Sequence, residues 1–455
     1  SRGLGDVYKR QLLVSKKYLR EEKFMDKMAD VLGRAGAWCG QNKYLSAIKN
    51  AFQNFMPLTI AGAIGVLWCN VLVNDQTGLG LFFKPIMALD FLNPAFQAVN
   101  FCTISCITVG ITLGIAQEIG VWNMGAERAG YIPGLVGLAA WLSVTNTSHM
   151  VEGAKEAFTG IAGNELGATG LFTGMIIGVL SVELFCFFEK QDALKIKMPE
   201  QVPPGVARAF EVLVPATITL IITACIGSAC YNLTGLYLND VIKNGIQGPL
   251  GAVGATIPGV MIIYLVIMLF WLVGIHGNNM LSAVKEALFT PLALENVEKF
   301  NKGEKPTNII NMYALQMWGE FGGSGVTIGL VIAIMIFGKR EDNKAIATLS
   351  LVPGLFNINE TVTFGIPMVL NPILGIPFVV APLITIIIGY VLTVIGFCPV
   401  ACLTVPWTTP PIVFGFLACG ANVMGAVTQA ILIVVSTVIY TPFLISYEKY
   451  QNKQA

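Results

Sequence analysis

The sequence predicts an all-α polytopic membrane protein of about ten transmembrane helices, two re-entrant hairpins and amphipathic helices. Three observations carry that prediction. Of 455 residues, 55% are hydrophobic and only 12% are charged, with a mean hydropathy of +0.69; soluble domains carry about 25% charged residues. Several apolar runs reach the roughly 20 residues that a helix needs to cross a bilayer. The ten-residue alternation of a membrane β-barrel strand is missing from them. Finally, polar clusters interrupt the later apolar runs beside glycine and proline, which is where discontinuous membrane helices place their binding groups.

The elements follow in order. Residues 1–11 (SRGLGDVYKRQ) resemble a translated sequencing adapter and are excluded from the fold reasoning. Residues 12–49 mix charge with periodic apolar positions, as an amphipathic segment on the cytoplasmic membrane surface does. No signal peptide is expected ahead of the first long apolar run, near Phe52. Candidate spans cover about 52–73, 96–118, 131–147, 169–189, 209–231 and 253–274. A mixed stretch, 276–320, precedes an apolar run at 322–338. Pro353, Pro367 and Pro372 break residues 346–372, and apolar runs at 373–397, 399–419 and 424–446 close the chain. Some of these runs are expected to re-enter rather than cross. The Pro-rich linker 190–208 suggests two halves: an N-terminal transmembrane half, 50–231, and a C-terminal half, 232–446, with a cytoplasmic tail at 447–455.

Charge orients the first half. Residues 1–49 hold 11 of the 28 Lys and Arg, 74–95 hold only Lys84, and 190–208 hold Lys190, Lys195, Lys197 and Arg208. Positive residues stay in the cytoplasm, so the N-terminus is expected inside, with four spans before the linker. The second half breaks this rule. Lys299, Lys302 and Lys305 precede the 322–338 run, and Lys339, Arg340 and Lys344 follow it. Either a further segment near 306–320 crosses, or part of this region enters and leaves on one side. Irregular backbone at membrane depth must be buried or line a cavity.

Two polar clusters fall in these broken regions. The first is Trp271-Leu-Val-Gly-Ile-His276-Gly277-Asn278-Asn279, and the second is Asn357-Ile-Asn359-Glu360-Thr-Val-Thr-Phe-Gly-Ile-Pro367, followed by Asn371-Pro372. An ionisable group at the bilayer centre costs roughly 2.5–3.5 kcal/mol even on mild insertion scales. His276 and Glu360 are therefore the leading candidates for one solute site. Gly277 permits a tight turn at the start of a half-helix, whose free N–H groups face a polar ligand. Amide and hydroxyl side chains around one carboxylate suit an uncharged, polyhydroxylated ligand, because each hydroxyl both donates and accepts. The plainer alternatives are a histidine satisfied at a helix junction and a glutamate serving as a helix cap.

Trp271 and Trp407 (in Thr404-Val-Pro-Trp407-Thr-Thr-Pro410-Pro411) are candidates to stack on a ring, or to anchor at the interface. Arg128 reads first as a positive residue on the cytoplasmic side, and His149 is left unassigned. The cysteines lie mostly in apolar sequence and read as small buried hydrophobes. No zinc set, other metal or cofactor is expected. A net charge of +1 argues against a nucleic-acid partner, and no Walker loop is present to power transport with nucleotide.

These clusters resemble the membrane component, enzyme IIC (EIIC), of the bacterial phosphoenolpyruvate-dependent sugar phosphotransferase system (PTS), and most of all its lactose/cellobiose/diacetylchitobiose group. The matching motifs are Gly274-Ile-His276-Gly277-Asn278-Asn279, Asn359-Glu360, Phe364-Gly-Ile-Pro367 and Asn371-Pro372, with Trp271, Trp407 and Met56-Pro57-Leu-Thr-Ile. Thr361 departs from the proline that many relatives carry after the glutamate. The resemblance implies a multi-pass permease of the bacterial plasma membrane. It implies a homodimer joined through the N-terminal half and a sugar held in the C-terminal half between two re-entrant hairpins. Glu360 and His276 would lie near the acceptor hydroxyl; Trp271, Gly277, Asn278, Asn279, Asn359, Trp407 and, most weakly, Arg128 would help bind a β-linked disaccharide such as cellobiose or diacetylchitobiose. The phosphoryl donor would be a cysteine of a separate EIIB, supplied in turn by EIIA and HPr, so the chain acts as an enzyme only within that complex. The alternative is a proton-coupled sugar symporter that uses Glu360 and His276 as its relay.

Overall fold

The computed structural model describes residues 30–38, 40–75, 79–149, 158–199, 201–249, 254–366, 368–369, 371 and 373–454. The readings made for residues 1–29, Pro367 and Pro372 lie outside these. The described chain is almost wholly helical; one two-residue strand pair, Ser148–His149 with Phe158–Thr159, is its sheet.

The N-terminal half is a bundle. Its helices are α1 (Lys43–Leu67), α2 (Asn93–Asn100), α3 (Ile107–Met124), α4 (Ile132–Val144), α5 (Ala168–Glu189) and α6 (Pro204–Thr234). Asn42 caps α1, accepting from the backbone N–H of Tyr44 and Leu45 at 3.1 Å each. Helix α3 is the hub and packs on α1, α4 and α5. Close approach needs small residues there: a Cβ on Gly174 of α5 would lie 2.2 Å from the Thr112 hydroxyl. Contacts fix the direction of each helix. Lys43 pairs with Glu183 at 2.7 Å, and Arg208 with Glu189 at 3.0 Å, so the start of α1, the end of α5 and the start of α6 share one end. Trp68, just past α1, stacks on Phe96 of α2 at 4.2 Å at the opposite end, near Asn70.

The C-terminal half contains α7 (Ile257–Leu272), α8 (Gly277–Met280), α9 (Ser282–Asn301), α10 (Met312–Gly319), α11 (Ile328–Phe337), α12 (Glu341–Leu355), α13 (Glu360–Gly365), α14 (Gly375–Val394), α15 (Val413–Ala418) and α16 (Val423–Gln454). Of the expected tail, 447–455, the described residues 447–454 are the last turns of helix α16. Alongside it, α10 and α11 form one discontinuous run in the same direction. The Gln429 amide donates to Met317 O at 3.2 Å, Ser436 to Val326 O at 2.9 Å, and Glu448 accepts from Lys339 N at 2.8 Å. With 8 and 10 residues, α10 and α11 measure about 12 and 15 Å, so neither crosses alone.

This arrangement resolves the charge conflict. The Lys299 group and the Lys339 group lie at opposite ends of one broken crossing. Asn301 meets Asn70 at 3.2 Å, and Arg340 meets Asn452 at 2.8 Å. The first group is locally occupied: Lys302 pairs with Glu298 and Lys299 bonds Thr307.

Two hairpins enter from opposite ends. Helices α12 and α13 fold back on each other, with a Cβ on Gly365 falling 2.8 Å from Ile346. The apolar run 399–419 is one of those that re-enter, as a hairpin from the Asn70 end. Asn296 donates to Ala401 O at 3.0 Å, and Cys402 N donates to Ala418 O at 2.8 Å, closing its base. Only α15, six residues, is helical in it. Among the described residues, five helices are by themselves long and apolar enough to span, and a bent pair ending in α3 makes a sixth; α4, α7 and α11 are apolar but shorter. In the second half, α10 and α11 make one such broken run.

Candidate functional site

Four chain breaks meet at one place. They are the turn 273–281 between α7 and α9, the loop 320–327 between α10 and α11, the tip 356–360 between α12 and α13, and the stretch 404–411 before α15. Each would leave unpaired backbone groups inside apolar surroundings, a cost avoided only by bonding. Asn357 supplies much of that bonding. Its Oδ1 accepts from Gly322 N at 2.6 Å, and its Nδ2 donates to Trp407 O at 2.5 Å and Thr409 O at 3.1 Å. One side chain thereby ties three breaks together, from a left-handed backbone with φ of 63° that asparagine tolerates better than most residues.

Asn359 does the next share. It is 4% exposed and donates to Ser324 O at 2.6 Å. Gly323 (φ 88°) lets this happen, since a Cβ there would lie 2.6 Å from the Asn359 side chain. Asn278 reaches the same loop from the other side, donating to Ser324 Oγ at 2.9 Å. Gly277 packs so closely beneath α7 that a Cβ would sit 2.0 Å from the Ile267 carbonyl oxygen.

These contacts frame a cavity of about 360 Å³ between α1 and the C-terminal half, within the range of small-ligand sites. His276, Asn278, Asn279, Asn359, Glu360 and Trp407 all line it. His276 caps α8: its Nδ1 accepts from Asn279 N at 3.3 Å. In the neutral ring that bond assigns the proton to Nε2, which faces Glu360 Oε1 at 3.9 Å. That gap is too long for a direct hydrogen bond and of a size that a hydroxyl group bridges. Glu360 opens α13, where Asn359 makes no side-chain cap bond; of the pair, His276 alone has a capping role. Trp407 is 44% exposed and turns its ring to the cavity rim.

Trp271 lies behind the wall. It is 2% exposed, and its ring stands 4.4 Å from the His276 ring and 6.4 Å from Phe378, edge on. Arg128 is elsewhere, in an ion cluster with Glu189 (2.8 Å) and Glu211 (3.0 Å) that Arg208 shares at the Lys43 end. His149 stays beside Asn146 and Phe158. Among the described residues no group of three or more His, Cys, Asp or Glu is placed to hold a metal ion.

Sequence reasoning missed several wall residues. Ser282, Glu286, Thr290 and Leu294 form a four-residue stripe on α9, and Tyr313, Gln316 and Glu320 a matching one on α10. Glu320 accepts from Tyr264 OH at 2.7 Å and pairs with Lys285. The available signal was charge: Lys285, Glu286 and Glu320 are ionisable groups bordering apolar helices, the same cue that singled out Glu360.

Comparison with known proteins adds the lineage. Residues 49–382 match the family described as "Phosphotransferase system, EIIC". The chain is 32% identical over 433 residues to the PTS system oligo-beta-mannoside-specific EIIC component of Bacillus subtilis (strain 168), covering 94% of each chain. It is 30% identical to the PTS system cellobiose-specific EIIC component of Lactococcus lactis subsp. lactis (strain IL1403), covering 94% of this chain and 98% of that one. The crystal structure of the transporter ChbC, the IIC component from the N,N'-diacetylchitobiose-specific phosphotransferase system, superposes with a TM-score of 0.84 at 29% identity, over 92% of this chain and 96% of that one. With broken helices, paired hairpins and a polar cavity already in place, these matches establish that the chain belongs to the EIIC family of multi-pass membrane permeases of the phosphotransferase system.

Proposed function

We propose that this chain takes up a β-linked disaccharide such as cellobiose or diacetylchitobiose and presents it, inside the cavity, for phosphorylation by EIIB. One observation carries the reading. Glu360 Oε1 and His276 Nε2 face each other at 3.9 Å in a cavity whose mixed wall also carries amides, hydroxyls and an exposed tryptophan. A sugar hydroxyl between them donates to Glu360 and accepts from His276 Nε2–H. Glu360 takes that proton as the hydroxyl oxygen attacks phosphorus and the phosphorus–sulfur bond to the EIIB cysteine breaks, releasing its thiolate, while His276 orients the oxygen. Phosphoryl transfer depends mainly on such positioning and charge management. Asn278, Asn279 and Asn359 hold the backbone and the sugar, Trp407 offers a stacking face, and Gly277 and Trp271 fix the His276 turn. Arg128 belongs to the helix-end ion cluster and is not assigned to the sugar.

The N-terminus is placed in the cytoplasm of a bacterial cell, with the Arg- and Lys-rich Lys43 end facing EIIB and, through it, EIIA and HPr. Residues 50–231 form the dimer-making half and 232–446 the transport half, with α1 as the wall between them. The relatives named above are all phosphotransferase components, so the symporter alternative is set aside.

The test is uptake of radiolabelled cellobiose and diacetylchitobiose by cells with and without a cognate EIIB, for the wild type and Glu360→Gln. Sugar phosphate that requires EIIB and disappears in the variant, while binding persists, is the expected result. Free sugar accumulating without EIIB and collapsing with a protonophore refutes it.

A further inference from the structure

The cavity is longer than the Glu360–His276 pair needs. The α9 stripe Ser282, Glu286, Thr290 and Leu294 lines it over twelve residues, about 18 Å at 1.5 Å per residue. Ser282 belongs to the His276 turn, donating to Asn279 O at 2.9 Å. Glu286 is one helical turn further on, beside Tyr313 and Gln316 of α10. This second pole has its own polar equipment. Tyr313 OH and Thr404 Oγ1 meet at 2.7 Å, and the Gln316 Oε1 is buried without a partner.

Two carboxylates reach this pole, and they differ. Glu320 is engaged by Tyr264 and Lys285, which ties α7, α9 and α10 into one frame. Glu286 receives only the Thr290 hydroxyl, on Oε2 at 2.5 Å. Among the described residues its Oε1 has no hydrogen bond, and the residue lines the cavity. An acceptor-only group left open in a half-buried wall suits a ligand hydroxyl, and a hydroxyl bonded to a carboxylate is a strong contact. The Thr290 hydroxyl holds Glu286 in place, so the bond needs little reorganisation.

We propose that Glu286 recognises the second ring of the sugar, the one that is not phosphorylated, and thereby sets the preference for a disaccharide over a monosaccharide. The inference rests on the sugar-permease reading above. Glu360 and His276 act on the ring that any substrate must offer; Glu286 is felt only by a ligand long enough to reach it.

The experiment measures EIIB-dependent phosphorylation of cellobiose and of methyl β-glucoside by the full-length chain, for the wild type, Glu286→Gln and Glu286→Ala, with thermal unfolding of each to verify folding. Where methyl β-glucoside is not itself phosphorylated, its inhibition constant against cellobiose replaces its KM. A lost hydrogen bond to a charged group predicts a cellobiose KM raised about tenfold or more, with kcat kept and the methyl β-glucoside constant unchanged. An unchanged cellobiose KM overturns the proposal, as does a proportional loss for both sugars or a fall confined to kcat. If the folded wild type, supplied with EIIB, phosphorylates neither these sugars nor diacetylchitobiose, the permease reading itself fails and the inference falls with it; the other outcomes leave that reading standing.

Discussion

Asn357 is the most informative residue to perturb, because it bonds three separate chain breaks and touches the cavity wall only in passing. Asn357→Ala removes the bonds to Gly322 N, Trp407 O and Thr409 O. At about 1 kcal/mol net for each bond, the loss is about 3 kcal/mol. Alanine also sits poorly at a φ of 63°, adding about 1–2 kcal/mol. These terms act on how the tips are held together, not on contacts with sugar. If the released tips sample open arrangements, the apparent Kd rises by the inverse of the competent fraction. The combined shift of about 4–5 kcal/mol corresponds to roughly a thousandfold weakening as its upper limit. Three variants separate the terms. Asn357→Gly relieves the backbone strain but loses all three bonds, and Asn357→Asp keeps only the acceptor toward Gly322 N. Tryptophan-fluorescence titration with cellobiose, alongside thermal unfolding in detergent, is expected to rank affinity as wild type, then Asp, then Gly, then Ala. Wild-type affinity and unfolding temperature in Asn357→Ala would refute the idea that this side chain holds the site together.

Other perturbations test separate parts of the structure. Lys285→Ala strands the buried Glu320 carboxylate and is expected to destabilise by about 3–5 kcal/mol, whereas Lys285→Met combined with Glu320→Gln recovers most of that loss in thermal unfolding. Gly277→Ala drives a methyl into the Ile267 carbonyl oxygen at 2.0 Å; the turn must shift, costing about 1–3 kcal/mol, and sugar affinity falls with it. Arg128→Gln leaves sugar Kd unchanged and lowers only the unfolding temperature, since Arg208 still pairs with the 3% exposed Glu189 side chain; a loss of affinity would return Arg128 to the binding site.

The sequence made the two polar clusters legible because an ionisable group among apolar residues stands out locally. His276 and Glu360 are 84 positions apart, yet each announced itself by its own neighbours. The broken helices were legible for the same reason, through Gly and Pro. What stayed hidden depends on partners far along the chain. The run 399–419 has the composition of a span, and only the bonds from Asn296 to Ala401, from Asn357 to Trp407 and from Cys402 to Ala418 reveal a hairpin. Asn357 itself was visible as part of a cluster but not as the tie between three breaks. Lys285, Glu286 and Glu320 were masked by their setting in a mixed stretch, where charge reads as a solvated face. The lysines at 299–305 misled for a related reason: charge counting ignores Glu298 and Thr307, which occupy two of them.

The same bonds explain why the polar cavity is built from interruptions rather than from the faces of whole helices. A continuous helix satisfies its own backbone and has only side chains to offer. A break frees N–H and C=O groups, and in an apolar setting each freed group costs several kcal/mol unless it is bonded. Here Asn357 meets that requirement by both donating and accepting, and Asn359 by donating to Ser324 O, while Asn278 adds a tie to the Ser324 hydroxyl. The amides therefore cluster where the breaks are, and the region they make polar is one place, because one asparagine can serve three breaks only if all three converge. Convergence brings the half-helix ends of α8 and α13 together, and with them His276 and Glu360. The site's chemistry thus follows from satisfying the backbone. This predicts that variants of the tie residues act through sugar affinity, whereas Glu360→Gln, which leaves every tie in place, lowers turnover far more than affinity.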